Sequence, residues 1–432
     1  MHLKSVSLSN IKGFEDLEFD FSRGTSKELA GWTVITGDNG SGKSAFLKSI
    51  AIALSGPDAA RSLQPSFAGW RTHGIDEDAH SQVSIDVRRS EEVDFFSSGG
   101  QPGSGTFKAT IRFSGSGRET FLEAVNFKGK RVTPQRTIWA PKAAGWFCCG
   151  YGPFRRVFGA SPEAMRQMVA PTTERFVTMF QEAASLAEVD QWLRALKHKE
   201  LEGRHDDIKK LEVVKAILDD DFLPNGMKIA HINSEGLWLR DRSGATLSWD
   251  EMSDGYRAAL ALVADILRHL INAYGIDNLT GTDEAGKLLI GMPGVVLIDE
   301  VDAHLHPVWQ QSIGFWLKHR FPNIQFIVTS HSPLVCQAAD EGGLFVLPAR
   351  GGQDFPRKLS GEEHRRIVAS RPDTILLTPA FGLRNTRSPV AVTGRARLSQ
   401  MRAKVRAGAR LTEQEKIELS QLELFDVGDE AI

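Results

Sequence analysis

Gly37-Asp38-Asn39-Gly40-Ser41-Gly42-Lys43-Ser44 decides how this chain is read. It fits the pattern G-x-x-x-x-G-K-[ST], and each part of the pattern answers a chemical need. Glycines let successive backbone N–H groups turn toward phosphate oxygens with no side chain in the way. The start of a helix adds the positive end of its dipole. Lys43 can reach β- and γ-phosphates, and the Ser44 hydroxyl can ligate Mg²⁺. The flanks agree. Trp32–Thr36 is a short apolar run that reads as a strand, and Ser44–Leu54 places Leu47, Ile50, Ala51 and Leu54 on one helical face. Asn39, Gly40, Ser41, Gly42, Lys43, Ser44 and Ala45 are therefore the expected cradle for ATP, with Mg²⁺ as its companion.

Further along, Val295-Val296-Leu297-Ile298-Asp299-Glu300 reads as a buried strand ending in two acids. Carboxylates at such an edge are costly unless something positive meets them. Mg²⁺ suits Asp299, and Glu300, one residue on, points elsewhere and can act as general base on water. A structural salt bridge is the plainer alternative. Ile324–Thr329 is another apolar strand, followed by Ser330-His331-Ser332-Pro333. His331 can bond the γ-phosphate and the attacking water, or be an ordinary loop histidine. Lys43, Glu300 and His331 are the expected catalytic residues, and Ser44 and Asp299 the expected metal ligands.

A second helix start has the chemistry to meet an anion. Ser253-Asp254-Gly255 precedes an amphipathic run with Tyr256, Leu260, Val263, Leu267 and Leu270 on one face. Ser253 and Asp254 can cap it, and Gly255 keeps the approach open. One nucleotide cannot readily use two such sites on a single head. A facing copy of the chain can supply the second.

The remaining sequence limits the possibilities. The 432 residues suffice for two or three compact units, and a net charge of −2 gives no global basic field for nucleic acid. Cys148, Cys149 and Cys336 have no metal-ligand spacing and read as buried, reduced thiols. No run approaches the ~20 apolar residues of a membrane span, so a soluble, cytoplasmic protein is expected. Residues 82–87 and 107–113 alternate as strands around the loop Ser97–Gly105, and Trp146–Cys149 reads as a further buried strand. Pro162–Leu218 turns helical, interrupted by Pro171 and Gly203, with no sustained heptad. A compact helical lobe is expected, without long coiled-coil arms. Arg384–Arg410 holds eight Lys or Arg residues and no acid, whereas Thr412–Glu430 is mostly acidic. Thr412 and Glu415 form an expected capping box. Two neighbouring helices that neutralise each other, or a DNA-facing basic strip, both fit this tail.

Taken together and in this order, the motifs resemble the ABC ATPase superfamily. Gly37–Ser44 resembles its Walker A motif, Val295–Glu300 its Walker B, Ser253-Asp254-Gly255 its signature, His331 its switch histidine, and Asp302 falls where its D-loop lies. Leu8-Ser9-Asn10-Ile11-Lys12-Gly13-Phe14 and Asp302-Ala303-His304-Leu305-His306-Pro307 are similar to the RecF/SMC/Rad50 and OLD branch. Within that branch, Ser253–Arg257 and Tyr151-Gly152-Pro153-Phe154-Arg155-Arg156 look like the ATPase subunits of Septu and retron anti-phage systems. Asp254 stands where transporters carry glycine, and no glutamine appears near Tyr151–Arg156. Arg155 and Arg156 can meet phosphate or a partner, or face solvent. For His304 and His306, the resemblance implies a D-loop and dimer contact rather than a metal site.

The resemblance implies an α/β ABC-ATPase head: a P-loop core sheet, an antiparallel β subdomain and a short helical lobe. The expected division is an N-terminal ATPase lobe over 1–157, a helical insertion over 158–222, a C-terminal ATPase lobe over 223–350 and a helical tail over 351–432. It also implies a homodimer with ATP held between the heads, room for a higher oligomer, and a separate HNH-type nuclease partner, since no nuclease motif follows His331. A RecF-like clamp on DNA is the alternative. A binding module with dead sites fits least, because no catalytic motif is broken.

Overall fold

The computed structural model describes residues 1–23, 28–76, 79–96, 105–115, 120–127, 130–140, 143–155, 173–182, 184, 186, 188–349, 351 and 354–426, side chains of 424–426 excepted. The expected Ser97–Gly105 loop, apart from Gly105, lies outside these residues, as do Arg156, Pro162–Pro171 of the helical stretch and the end of the acidic tail. The chain divides into two compact units, Met1–Ser370 and Arg371–Ile432.

A six-stranded sheet organises the larger unit. Its strands are β3 (Trp32–Gly37), β7 (Cys148–Tyr151), β13 (Gly294–Ile298), β14 (Ile324–Thr329), β15 (Leu344–Leu347) and β16 (Arg357–Lys358). Their order is β16-β15-β3-β14-β13-β7, all parallel except β16 at one edge. Val295–Ile298 and Ile324–Val328 are wholly buried. Apart from Gln325, whose amide bonds the Leu3 backbone, these are the continuous apolar runs that parallel strands covered on both faces require. β14 joins β3 to β13 although β3 ends at Gly37 and β14 begins only at Ile324.

A second, antiparallel sheet has the order β2-β1-β4-β5-β6. It comprises β1 (His2–Ile11), β2 (Phe14–Asp20), β4 (Ser81–Arg88), β5 (Thr106–Ser114) and β6 (Phe121–Ala124). In β2, Phe14, Leu17 and Phe19 point inward while Glu15, Asp16 and Glu18 stay in water, the alternation of a one-sided sheet. Helix α1 (Lys43–Ser55) packs against β4 and β5 of this sheet and against β3, β13 and β14 of the first. Phe46, Leu47, Ile50, Ala51 and Leu54 are fully buried there. The phosphate loop is thus carried by a helix clamped between two sheets.

The helical lobe contains the pair α2 (Glu188–Leu201) and α3 (His205–Leu218), each 14 residues, about 21 Å long. Gly203 takes a left-handed φ of 76° in the turn between them, a conformation that glycine adopts without strain. No long coiled coil occurs among the described residues. A small antiparallel sheet, β8 (Lys228–Asn233), β9 (Gly236–Arg240) and β10 (Thr246–Ser248), packs beside α2 and leads to α4 (Asp254–Tyr274). The two-stranded ribbon β11 (Thr280–Thr282) and β12 (Leu288–Ile290) precedes β13, and α5 (Pro307–Arg320) lies between β13 and β14. All three cysteines are free and buried, and burial pushes their thiols up.

The smaller unit holds α6 (Pro389–Arg406) and α7 (Glu413–Asp426). Arg397 pairs with Glu418 at 3.1 Å, Arg402 with Glu423 at 3.5 Å and Lys404 with Glu415 at 3.0 Å. The Thr412/Glu415 capping box forms: Glu415 N donates to Thr412 Oγ1 at 3.2 Å and Thr412 N to Glu415 Oε2 at 2.9 Å. The basic and acidic runs therefore face each other as helices. Among the described residues no helix is long and apolar enough to cross a membrane.

Candidate functional site

Parallel pairing of β3, β14 and β13 brings their carboxyl ends to one edge of the sheet, where ligands gather in open α/β sheets. β3 runs into the glycine loop, β13 into Asp299-Glu300 and β14 into Ser330-His331. Three stretches far apart in the chain thus converge.

In the loop, Gly37, Gly40 and Gly42 have φ of 147°, 78° and 100°, open to glycine and strained for other residues. A Cβ on Gly37 would also collide with the Leu347 carbonyl. Asn39 and Gly40 are exposed, Gly42, Ser44 and Ala45 are half-buried, and Ser41 and Lys43 are buried. Lys43 Nζ donates to the carbonyls of Gly37 and Asp38 at 2.8 and 2.9 Å. Burial lowers its pKa, against the opposing fields of Asp299, Glu300, Asp38 and Asp302. Ser41 Oγ is buried with no hydrogen-bond partner. An orphaned hydroxyl in a cradle of glycines, beside an ammonium held by two carbonyls, fits a polyphosphate. Ser44 and Asp299 offer one hydroxyl and one carboxylate. That small donor set suits Mg²⁺, which keeps several waters and binds few protein groups beside substrate phosphates.

At the acidic turn, Asp299 is 1% exposed. Its Oδ1 accepts from Thr329 Oγ1 at 2.5 Å, and Thr329 Oγ1 accepts from Glu300 N at 2.7 Å. Glu300 takes φ 47°, a left-handed backbone uncommon outside glycine. The strand's extended backbone therefore ends at Glu300. One Asp302 carboxylate oxygen, Oδ1, is buried and unpartnered. His331 is exposed beside this edge.

The Ser253-Asp254-Gly255 segment does not join the glycine loop. Ser253 stands at the N-cap of α4 with an exposed hydroxyl that makes no cap hydrogen bond. Asp254 reaches Arg257 at 2.7 Å instead, so the expected double cap is absent. A Cβ on Gly255 would lie 2.5 Å from the His304 carbonyl oxygen. The start of α4 therefore rests on the loop that follows Glu300. Beyond it, His306 caps α5, its Nδ1 accepting from Val308 N at 3.4 Å.

Three contributors escaped the sequence reading. Arg155 neither faces solvent nor reaches outward. It is 6% exposed and donates to the carbonyls of Asp299 at 2.9 Å, Glu300 at 3.0 Å and Ala303 at 3.2 Å. Burial lowers its pKa to about 10 against the pull of Asp302, Asp299 and Glu300. Thr329 is the second, a plain strand residue until its hydroxyl is seen between Asp299 and Glu300. The third is a buried network in which Tyr151 Oη donates to Asp265 Oδ2 of α4 at 2.9 Å. Only Arg155 carried a signal, as a charge within the aromatic run Tyr151–Arg156.

Comparison with known proteins gives the following likenesses. The chain is 25% identical over 346 residues to Septu protein PtuA of Bacillus mycoides (strain KBAB4), covering 80% of this chain and 40% of that one. It is 44% identical over 142 residues to the Retron Ec83 probable ATPase of Escherichia coli, covering 31% and 24%. The matched stretches thus span less than half the length of these relatives. Among solved structures, an SmcHead bound to the C-winged helix domain of ScpA matches at TM-score 0.48 and 17% identity, covering 85% of this chain and 100% of that one. The family described as "AAA domain, putative AbiEii toxin, Type IV TA system" matches residues 32–337. That match takes in the glycine loop, the acidic turn and His331, over more than half of the sequence, and the chain belongs to this family.

Proposed function

We propose that the chain is a Mg-ATP-dependent ATPase whose complete sites form when two heads meet, and that it acts as the switch of an anti-phage defence complex with a separate, HNH-type nuclease. The carrying observation is Lys43, buried at the glycine loop within the fields of Asp299, Glu300 and Asp302. Residues 39–45 would take the phosphates, with Lys43 exchanging the carbonyls of Gly37 and Asp38 for phosphate oxygens. Ser44 and Asp299 would hold Mg²⁺, which when bound supplies charge neutralisation across the phosphate oxygens. Glu300 would accept the proton of the attacking water, and His331 would bond that water and the γ-phosphate. Ser253 and Gly255 of a second copy would close the site, with Asp254 and Asp302 at the contact. An exposed Ser253 hydroxyl, unspent on its own helix, supports that role.

The named relatives, a Septu protein and a retron ATPase, support the defence setting. The direct test is Glu300→Gln. It should bind ATP, accumulate as dimers in light scattering and turn over at least a hundredfold more slowly. Normal hydrolysis by that variant would remove Glu300 as the base. An adjacent nuclease gene, co-purification of its product and a phage-resistance phenotype would support the defence reading, and absence of all three would sink it. A RecF-like DNA clamp has less support, because Arg397, Arg402 and Lys404 are spent on Glu418, Glu423 and Glu415. It predicts salt-sensitive DNA binding by the chain alone.

A further inference from the structure

We infer that Arg155 is a positioning residue for hydrolysis: its buried guanidinium fixes the Asp299–Ala303 turn and thereby aims Glu300. This rests on the ATPase reading above and names a group that reading does not use.

A guanidinium has five donors in a rigid plane and stays charged when buried. Arg155 spends its donors on three carbonyls of one turn, at 2.9, 3.0 and 3.2 Å. It bonds the backbone of Asp299 and Glu300, which leaves both carboxylates for other work. Their fields still reach it, together with that of Asp302. Arg155 therefore offsets part of the repulsion among three acids crowded at one strand end.

The turn needs such a hold. Glu300 has φ 47°, and a non-glycine residue in that region is strained and persists only where surrounding contacts over-determine it. Those contacts are all present. Glu300 N donates to Thr329 Oγ1 at 2.7 Å, Val301 N to Thr329 O at 3.0 Å and Ala303 N to Glu300 O at 2.9 Å. Arg155 takes up the remaining capacity of the Glu300 carbonyl and closes the turn at Ala303. Arg155 and Thr329 both bond the backbone of this turn, so the effect expected of the hold is on the base Glu300 more than on nucleotide binding.

The test compares Arg155→Met and Arg155→Lys in the full chain. Methionine keeps much of the apolar stem and removes every donor. Lysine keeps the charge but lacks the planar fork that spans three carbonyls. For Arg155→Met we expect kcat for Mg-ATP to fall tenfold or more with KM changed less than threefold, and Arg155→Lys to lie between it and wild type. Amides of residues 299–304 should exchange hydrogen at least tenfold faster in both variants. Unchanged kcat with unchanged exchange would overturn the inference. So would a loss of kcat matched by an equal loss of ATP affinity, which would mark a binding or purely structural group. If Arg155→Met does not fold, Arg155→Lys decides by the same criteria, at threefold in kcat. A wild-type chain without ATPase activity would instead overturn the ATPase reading. Local exchange in the variants would then still show whether Arg155 holds the turn.

Discussion

Replacing Tyr151 by Phe removes one oxygen and tests whether α4 is tied to the main sheet by a buried charge. Tyr151 is 1% exposed and Asp265 4%. Tyr151 Oη donates to Asp265 Oδ2 at 2.9 Å, and the next partner of that oxygen, His269 Nε2, is at 3.4 Å. Asp265 Oδ1 keeps Arg268 Nε at 2.9 Å. A buried hydrogen bond to a charged group contributes about 1.5–3 kcal/mol. Because the oxygen left behind retains only the longer contact, Tyr151→Phe should cost about 2 kcal/mol. Asp265→Asn also breaks the pair with Arg268 and should cost about 3 kcal/mol, as expected for a broken buried ion pair. Tyr151→Phe removes this bond and Asp265→Asn takes away the charge that strengthens it, so the double variant should fall short of the sum by at least about 1 kcal/mol. Urea titration of all four proteins, followed by tryptophan fluorescence, measures this coupling. Burial pushes the Asp265 pKa up, but His269, Arg268 and the Tyr151 hydroxyl outweigh it and hold the carboxyl below its usual range. Its contribution is therefore complete above the ordinary carboxylate range and is lost only as pH falls through the lower, folded value. Asp265 itself therefore adds no pH dependence to the coupling between pH 5 and 7. A coupling below about 0.5 kcal/mol, the usual additivity error, would refute the tie.

Other positions give equally direct expectations. Gly255→Ala places a Cβ 2.5 Å from the His304 carbonyl oxygen, where contacts under 3.0 Å essentially never occur. The start of α4 must move by at least 0.5 Å, and ATPase activity should fall on the order of tenfold with unchanged circular dichroism; full activity would mean that this contact is not functional. Ser41→Ala deletes a buried, unpartnered hydroxyl. Without nucleotide it should leave stability equal or raise it by about 1 kcal/mol, while calorimetry shows ATP affinity reduced severalfold. Glu363 is held at about 2 by Arg357 and by its capping bonds to Ser360. Its contribution is present above its ordinary value of 4.5 and lost as pH falls from there toward 2. Part-exposed, it should contribute about 0.5–1 kcal/mol, so Glu363→Gln should flatten the melting temperature over that window.

How much was legible in the sequence depended on distance along the chain. The glycine loop was readable because its chemistry is compressed into eight consecutive residues, Gly37–Ser44. The Thr412/Glu415 cap was readable because both partners lie within one helical turn. The strand of β13 announced itself by an apolar run closed with two acids. Arg155 was not readable in its role, since its acceptors lie 144 to 148 residues downstream. An arginine in a loop looks the same whether it meets solvent or a buried carbonyl. The Tyr151–Asp265 bond joins positions 114 apart, and the patterning of α4 shows only that Asp265 interrupts an apolar run. The cap expected from Ser253 and Asp254 failed for a local reason, because Arg257 one turn on takes Asp254 by charge.

The placement of these long-range contacts bears on how two halves of a site can act together. The short segment 148–155 touches the acidic turn twice: Asp299 N donates to Tyr151 O at 2.9 Å, and Arg155 binds three carbonyls. Its Tyr151 side chain also binds Asp265, eleven residues into α4, about 17 Å from that helix's start. The start itself rests on His304 through Gly255. α4 is therefore fixed to the hydrolytic turn at two separated points, one directly and one through residues 151–155. A helix held so cannot shift at its exposed Ser253 end without loading the turn that carries Glu300, because packed interiors yield little and pass displacement on. In the dimer proposed above, contact of a second copy at Ser253 and alignment of Glu300 in the same head would then be mechanically one event. Tyr151→Phe should loosen that link, so that amides 299–304 no longer gain protection when ATP brings two Glu300→Gln heads together. Equal protection with and without the Tyr151 hydroxyl would place the coupling wholly at the Gly255–His304 contact.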